Sequence, residues 1–466
     1  MKQSMRADAQ SVIEKALRAV QPDEAVRRAL DGRQFSGRLF LISVGKAAWQ
    51  MAKAAHDCLD DRVENGLVLT KYEHVKGPIA NFICCEGGHP IPDEGSFRGT
   101  QAALDMVAGL GKDDTVLFLL SGGGSALFEK PLIPADELRD ITAQLLASGA
   151  DIVEMNTVRK RLSAVKGGRF AQACAPAKVF SIVLSDILGD PLDMIASGPA
   201  SPDPSTCEQA KAVVEKYDLR LSDRARALLE QETPKYLDNA ESLVVGSVRE
   251  LCKAAAGACK ELGYEPILLT DMLCCQAKEA GSFLASIARS HAFDDRSLAF
   301  IAGGETVVQL TGKGKGGRNQ ELALSAAEGI EGLENVLIFS VGSDGTDGPT
   351  DAAGGIVNGR TKQALADKGV QIHEILADNN AYHALASIDG LIVTGPTGTN
   401  VNDVAVALIQ AKGEYGVDIP RRGERIRPRS CGDHADALLR EVNPPKQTAG
   451  IDPPAKKFIE YAVERA

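Results

Sequence analysis

The chain has 466 residues, 44% of them hydrophobic, which fits a folded protein of two or three domains and excludes a largely disordered chain. Its 63 acidic residues outnumber its 52 basic ones, and the net charge of −11 excludes an extended nucleic-acid-binding surface but leaves room for a local basic pocket. No apolar run is long enough to cross a membrane and the charged N-terminal segment is unlike a signal peptide, so we predict a cytoplasmic protein that binds neither nucleic acid nor membranes. The ten cysteines lack the paired spacing of a zinc site and are predicted to be reduced, mostly buried thiols.

Short apolar runs alternate with helical patterns along the first half of the chain. The runs "RLFLISV", "TVLFLL" and "KVFSIVLS" have the length and the Val, Ile and Leu content of buried strands, and such alternation predicts parallel strands joined by crossover helices. The pattern loosens from Pro234 to Glu241, and a second set of predicted strands follows: "SLVVG", "EPILLT", "SLAFIAGG", "TVVQLT", "NVLIFSV" and "GLIVTG". We therefore predict an α/β fold with a doubly wound, mostly parallel sheet in residues 1–237 and a second α/β domain in residues 238–411. Residues 412–466, rich in Pro, Arg and Gly, are predicted to be an appended tail.

Two predicted strands of the first domain are followed by candidate anion-binding groups. In "SVGKAA", Lys46 stands at the junction of a strand and a helix, where an ammonium is unfavourable unless an anion binds it. After "TVLFLL" the chain has three consecutive glycines between two serines, which would let a phosphate or another ligand approach the backbone N–H groups. A tight turn packed against a neighbour is the alternative explanation. The candidate binding residues of this loop are Ser121, Gly122, Gly123, Gly124 and Ser125.

A basic segment and an acidic loop follow in the first domain. In "MNTVRKRLSAVKGGRFA", Arg159 and Lys166 would share one helical face and could point together into a cleft, although a solvated basic helix explains them equally well. In "SDILGDPLDMIASGP", Asp186 and Asp190 follow a strand and could hold a hydrated Mg²⁺ or accept a hydroxyl proton. Aspartates that form turns are the alternative there.

The second domain contains a glycine-rich segment, "GGETVVQLTGKGKGGRNQELAL". Its glycines satisfy the GxGxxG pattern of dinucleotide sites, but Lys313, Lys315 and Arg318 predict a more strongly anionic ligand than a pyrophosphate bound by the backbone alone. Arg318 begins a predicted helix and could stabilise charge on a transferring phosphoryl group. Asn319 and Glu321, in the same segment, are further candidate binding residues.

Two more polar segments follow the later strands of the second domain. "SVGSDGTDGPTDAAGGIV" offers Asp344 as a possible metal ligand, with turns as the alternative. "GPTGTNVNDVAVALI" is predicted to be a polar junction between a strand and a helix.

Taken together, these segments resemble the glycerate 2-kinase family, whose C-terminal module is the MOFRL domain. The matching segments, ordered as in the family, are "SVGKAA", "GGHPIPDEGS", "SGGGSALF", "MNTVRKRLSAVKGGRFA", "SDILGDPLDMIASGP", "GGETVVQLTGKGKGGRNQELAL", "GSDGTDGPTDAAGG" and "GPTGTNVNDV". The resemblance implies ATP-dependent, Mg²⁺-requiring phosphorylation of D-glycerate to 2-phospho-D-glycerate in an active-site cleft between two α/β domains. It also implies that Lys46 and Arg318 are catalytic.

Phosphoryl transfer depends mainly on positioning and charge neutralisation, and the remaining candidate residues fit that requirement. Asp190 or Asp186 could orient the attacking hydroxyl or bind the metal, and Arg159 or Lys166 could bind the carboxylate of glycerate. A homo-oligomer is possible. The alternative functions are a hydroxypyruvate reductase that uses NAD(P)H and a non-catalytic regulator that binds sugar phosphates.

Overall fold

The computed structural model describes residues 4–411, which form two sheets with helices packed on them. The strands are β1 Leu39–Val44, β2 Val63–Lys71, β3 Phe82–Gly87, β4 Thr115–Leu120, β5 Lys178–Leu184, β6 Ala240–Gly246, β7 Glu265–Leu273, β8 Leu298–Gly304, β9 Val336–Gly342, β10 Gly354–Asn358, β11 Leu391–Ile392 and β12 Asp403–Ile409. The helices of the first half are α1 Met5–Ala19, α2 Pro22–Leu30, α3 Ala48–Leu59, α4 Glu94–Val107, α5 Gly124–Leu127, α6 Ala135–Ala147, α7 Ile152–Arg159, α8 Arg169–Cys174, α9 Cys207–Lys216 and α10 Asp223–Leu229. Those of the second half are α11 Val248–Glu261, α12 Ala277–His291, α13 Arg318–Gly329, α14 Thr361–Ala366, α15 Ile372–Ala377 and α16 Ala381–Ala386.

The first sheet has the order β3-β2-β1-β4-β5-β6, and every neighbouring pair is parallel. β1 and β4 are buried along their whole length because helices cover both faces of the sheet. Separate hydrophobic clusters lie on the two faces, one under α3 and the other under α4 and α8. The doubly wound parallel sheet predicted for the first domain is therefore confirmed.

The second sheet has the order β11-β10-β9-β12-β8-β7 and is mixed, because only β7 and β8 pair in parallel. Its faces are covered by α12 and α13 on one side and by α11 and α1 on the other. α1 is fixed there by a buried polar contact, in which the Tyr264 hydroxyl donates to Asp8 at 2.9 Å. The N-terminal helix thus completes the core of the second sheet.

Several predicted elements differ in the structure. The segment "SLVVG" forms β6 and pairs with β5 in the first sheet, although it follows the predicted domain boundary at residue 238. "TVVQLT" forms no strand, and its Val307 and Leu310 side chains are exposed. "DVAVALI", predicted as a helix, is the fully buried strand β12 between β8 and β9, because a short apolar run buried on both faces satisfies either pattern.

Two further sequence predictions, on the cysteines and on membrane spans, can be compared with the described residues. The nine cysteines within residues 4–411 are free thiols, but Cys58, Cys274 and Cys275 are exposed rather than buried. None of the helices in that part of the chain is long and apolar enough to cross a membrane. The predicted tail, residues 412–466, lies outside the described residues.

Candidate active site

Lys46 and the glycine loop of residues 121–125 meet at the carboxyl ends of β1 and β4. The order of the first sheet reverses between these two strands, and in doubly wound folds such a reversal opens a crevice where ligands bind. The Lys46 backbone N–H donates to the Gly122 carbonyl at 2.9 Å, and the Ala47 N–H donates to the Ser121 hydroxyl at 3.1 Å. These two bonds hold the loops after β1 and β4 side by side.

The glycines of this loop are required by close contacts and by backbone conformation. A Cβ atom added to Gly122 would lie 2.4 Å from a carboxylate oxygen of Asp186, and Gly123 has a φ of +86°, which disfavours other residues. A Cβ atom added to Gly123 would lie 3.0 Å from the His89 ring and 3.2 Å from Lys46. Among residues 4–411, the N–H groups of Gly122 and Gly123 have no hydrogen-bond acceptor. The loop therefore combines tight packing with unused backbone donors.

A cavity of 360 Å³ lies beside this loop and is lined from both sheets. The side chain of Lys46 is exposed there and has no hydrogen bond or ion pair within the described part of the chain. The lining includes more lysines than carboxylates, which favours an anionic ligand. Its lining includes Lys46, Lys71, Ser121, Gly122 and Asp186 from the first sheet and Asp344, Thr399 and Asn400 from the second.

The two carboxylates of this cavity differ in their surroundings. Burial raises the pKa of Asp186, while the Lys46 charge acts in the opposite direction and Glu305 raises it further. Asp344 follows β9 and also lines a second, larger cavity of 940 Å³. Asp344 therefore lies where the two cavities adjoin.

Arg318, the first residue of α13, lies in the second cavity and is held by two carboxylates. Its Nε donates to Asp403 at 2.6 Å, its Nη2 donates to the other oxygen of Asp403 at 3.1 Å, and its Nη1 donates to Glu305 at 2.8 Å. Burial lowers the pKa of Arg318, but the bonds to Asp403 outweigh this and the net pKa is raised, so the guanidinium stays charged. The two predicted catalytic cations thus lie in adjoining cavities.

The GxGxxG glycines of the second domain are required by close packing, and they also line the second cavity. A Cβ atom added to Gly312 would lie 2.3 Å from the Asp378 backbone, and one added to Gly314 would lie 2.4 Å from Asn380. The Gly314 N–H donates to the Asp378 carbonyl at 2.8 Å, and the Lys315 N–H donates to Asn380 at 3.2 Å. These two backbone donors are already used inside the protein. Residues 305–317 also contain no strand, whereas a dinucleotide site has a strand directly before its glycines.

The start of α13 is likewise occupied by a protein group. The Asp347 carboxylate accepts from the N–H groups of Asn319 at 3.2 Å and Gln320 at 2.9 Å. Burial raises the pKa of Asp347 to about 6. Of the other residues predicted in this segment, Asn319 is buried and accepts from Ser340, whereas Glu321 lines the second cavity.

The two lysines of the same segment have different surroundings. Lys313 is exposed at the second cavity. Lys315 is directed elsewhere, because its ammonium lies 4.4 Å from the centre of the Tyr382 ring.

Arg159 and Lys166 meet, but not on a helical face and not in either cavity. α7 ends at Arg159, and both cations lie near the fully buried Glu129 carboxylate, at 3.9 Å for Arg159 and 3.4 Å for Lys166. Lys166 is fully buried and donates to the carbonyls of Ser125 at 2.8 Å and Phe128 at 3.1 Å. This buried network is bonded to the glycine loop through the Ser125 carbonyl. Neither cation is therefore placed to bind a ligand in the cavities.

The structure places the predicted residue Asp190 away from both cavities and places His89, which was not predicted, beside Lys46. Asp190, predicted to be catalytic, lines neither cavity; it has a φ of +54°, and one of its carboxylate oxygens is buried without a partner in the described residues. His89 was not singled out, although it lies in "GGHPIPDEGS", one of the segments that carry the family resemblance. Its ring packs against Gly123 beside Lys46.

Comparison with known proteins places these features in a family. A model described as the MOFRL family matches residues 298–403, and one described as a domain of unknown function, DUF4147, matches residues 8–230. The chain is 51% identical over 413 residues to a D-glycerate 2-kinase of Thermotoga maritima, covering 87% of this chain and 99% of that protein. It is 41% identical over 429 residues to a glycerate 2-kinase of Pyrococcus horikoshii, covering 86% of this chain and 96% of that protein.

A solved structure extends the similarity to the fold. The crystal structure of glycerate kinase from Thermotoga maritima matches with a TM-score of 0.84 at 51% identity, covering 87% of this chain and 99% of that one. The resemblance noted in the sequence is thereby confirmed, and the chain belongs to the glycerate 2-kinase family.

Proposed function

We propose that this protein is an ATP-dependent kinase that phosphorylates D-glycerate at its 2-hydroxyl group. One observation carries the proposal: Lys46 and Gly122, whose N–H group is unused among residues 4–411, line a cavity that adjoins, at Asp344, the cavity of Arg318. Phosphoryl transfer requires cations and N–H donors around the transferring group and little covalent chemistry from the protein. The names of the relatives, D-glycerate 2-kinase and glycerate 2-kinase, supply the substrate.

Lys46 and Arg318 would perform different tasks in this reaction. Lys46 is a single charge on a flexible stem and has no ion-pair partner among residues 4–411, so it is suited to follow an anionic oxygen as it moves. Arg318 is fixed by Asp403 and Glu305, so its planar guanidinium is oriented before the substrate arrives. Such preorganised charge stabilises the transition state without having to reorganise during the reaction.

Asp186 and Asp344 fit a magnesium site. Mg²⁺ in kinases is held by one or two carboxylates together with substrate phosphates and water, rather than by a full set of protein ligands. These two carboxylates face one cavity from opposite sheets, and the described residues contain no cluster of three or more metal-binding side chains that would compete. Bound there, Mg²⁺ would neutralise charge on the phosphate oxygens.

Two relatives from Agrobacterium vitis, 38% and 37% identical to this chain, are named putative hydroxypyruvate reductase, but the described residues favour neither alternative function. A nicotinamide-dependent reductase would depend on the GxGxxG glycines, and two of them, Gly312 and Gly314, already donate their N–H groups to Asn379 and to the Asp378 carbonyl. A regulator that only binds sugar phosphates would not need Arg318 fixed in the adjoining cavity. A cytoplasmic location and a homo-oligomeric state remain predictions from the sequence.

The proposal is tested by measuring ADP release by the purified protein with ATP, Mg²⁺ and D-glycerate. We expect release that depends on D-glycerate and is much slower with L-glycerate. As a control for the reductase alternative, NADH oxidation with hydroxypyruvate is followed in the absence of ATP. ADP release that is independent of glycerate, or NADH oxidation without ATP, would contradict the proposal.

A further inference from the structure

His89 lies at the point where Lys46 and the glycine loop meet. It belongs to the segment between β3 and α4, at the same edge of the first sheet as Lys46 and Gly123. A Cβ atom added to Gly123 would lie 3.2 Å from His89 Nε2 and also 3.2 Å from Lys46 Cγ. The absence of a side chain at Gly123 therefore leaves this edge of the imidazole open toward the Lys46 stem.

The imidazole is half-buried and has no partner for its nitrogens among residues 4–411. Hydrogen bonds in this segment involve other groups: the Gly88 N–H donates to Asp93, which also accepts from Ser96 at the start of α4. Charged groups facing the ring are Lys46, after β1, and Lys71, at the end of β2. Burial lowers the pKa of His89, and these two ammonium groups lower it further, so the ring is neutral at neutral pH. A neutral, unpartnered imidazole can accept a proton.

We propose that His89 accepts the proton of the substrate hydroxyl during phosphoryl transfer. This inference rests on the proposed kinase function. The hydroxyl O–H bond breaks and its proton moves to an imidazole nitrogen, while the hydroxyl oxygen forms a bond to the γ-phosphorus of ATP. The bond from that phosphorus to the β,γ-bridging oxygen breaks, and ADP leaves with the electron pair. The imidazolium then releases its proton to water, which the adjacent Lys46 and Lys71 charges favour.

The aspartates predicted for this task are less well placed. Neither Asp190 nor His89 lines either cavity, but His89 packs against Gly123 beside Lys46. Asp186 is one of the two carboxylates that would hold Mg²⁺. A carboxylate bound to a metal ion is a weak proton acceptor. His89 carries no such second role.

The test compares His89→Gln and His89→Ala with the wild type in steady-state ADP release as a function of pH. We expect kcat to fall about 10²-fold in both variants, which is the usual contribution of a general base, with the KM for ATP unchanged. The acidic limb of the wild-type kcat/KM profile should lie below the ordinary range of histidine and be absent from His89→Gln. Added imidazole should restore turnover to His89→Ala. His56→Gln, on α3 and against Phe82, is the matched control and should behave as the wild type.

Two results would overturn the inference. One is a wild-type kcat in His89→Gln, and the other is a reduced kcat with the acidic limb still present. Far-ultraviolet circular dichroism of each variant shows whether it is folded, and imidazole rescue of a folded variant separates proton transfer from support of the loop. If the wild type itself releases no ADP with D-glycerate, the proposed function fails, whereas activity in the wild type with an unaffected His89→Gln variant refutes only the role of His89.

Discussion

Replacing Lys46 with alanine should abolish most activity and leave stability unchanged. The side chain is exposed, has no hydrogen bond or ion pair among residues 4–411, and stands just before α3, where the helix dipole disfavours a cation. Its loss should therefore change the free energy of unfolding by less than about 0.5 kcal/mol. In the transition state, however, it would be a direct partner of the phosphoryl group. Removing one such partner typically lowers kcat by about 10² to 10³, or about 2.7 to 4 kcal/mol.

The assay for this prediction combines kinetics with stability. kcat and KM come from ADP release at saturating Mg²⁺, and the free energy of unfolding comes from urea denaturation. Lys53→Ala is the matched control, because Lys53 lies on α3 and pairs with Asp57 away from the cavity. Lys46→Ala with wild-type turnover would remove Lys46 from the mechanism, and a large loss of stability would refute our account of its surroundings.

Four further substitutions test other parts of the structure. Arg318→Lys keeps the charge but loses the paired bonds to Asp403, so kcat should fall more than the KM for ATP rises; a change in that KM alone would make Arg318 a ground-state ligand. Glu129→Gln leaves the fully buried Lys166 and the partly buried Arg159 without their carboxylate partner. It should lower the free energy of unfolding by about 3 to 5 kcal/mol in urea denaturation, whereas no loss would argue against the buried pair. The pKa of Asp347 rises from 3.8 to about 6 on folding, so the folded state binds the proton more tightly than the unfolded state. The free energy of unfolding of the wild type, relative to that of Asp347→Asn, should therefore fall as the pH rises from about 3.8 to about 6. A difference that stays constant over this pH range would contradict the prediction. Gly123→Ala introduces a Cβ atom at a φ of +86° and 3.0 Å from the His89 ring, so it should lower kcat/KM in steady-state assays. An unchanged kcat/KM would show that the loop does not contact the substrate.

The meeting of Lys46 and the glycine loop could be predicted because it depends on short-range patterns. Each group directly follows a buried apolar run, and the carboxyl ends of parallel strands share one edge of a sheet. Lysine at the start of a helix is unusual enough to indicate a ligand. The second predicted catalytic cation, Arg318, could be predicted from the family resemblance and from its position at the start of a predicted helix.

Other features depend on long-range packing, which local patterns do not contain. Gly312 and Gly314 match a dinucleotide pattern, yet they are glycines because residues 378–380 pack directly on their backbone. Lys166 looked like a solvent-exposed or ligand-binding cation, but Glu129, far from it in the sequence, makes it part of a buried network. His89 lies in a segment that carries the family resemblance, but that segment does not predict that its ring packs against Gly123.

The most direct test of the central claim, that the two adjoining cavities form one phosphoryl-transfer site, is phosphorus NMR of the product made from ATP and D-glycerate. We expect 2-phosphoglycerate and ADP in equal amounts from the wild type, and little of either from Lys46→Ala or Arg318→Lys under the same conditions. A product phosphorylated only at the 3-hydroxyl would contradict the proposed reaction. Undiminished 2-phosphoglycerate from both variants would show that the reaction does not depend on these cavities.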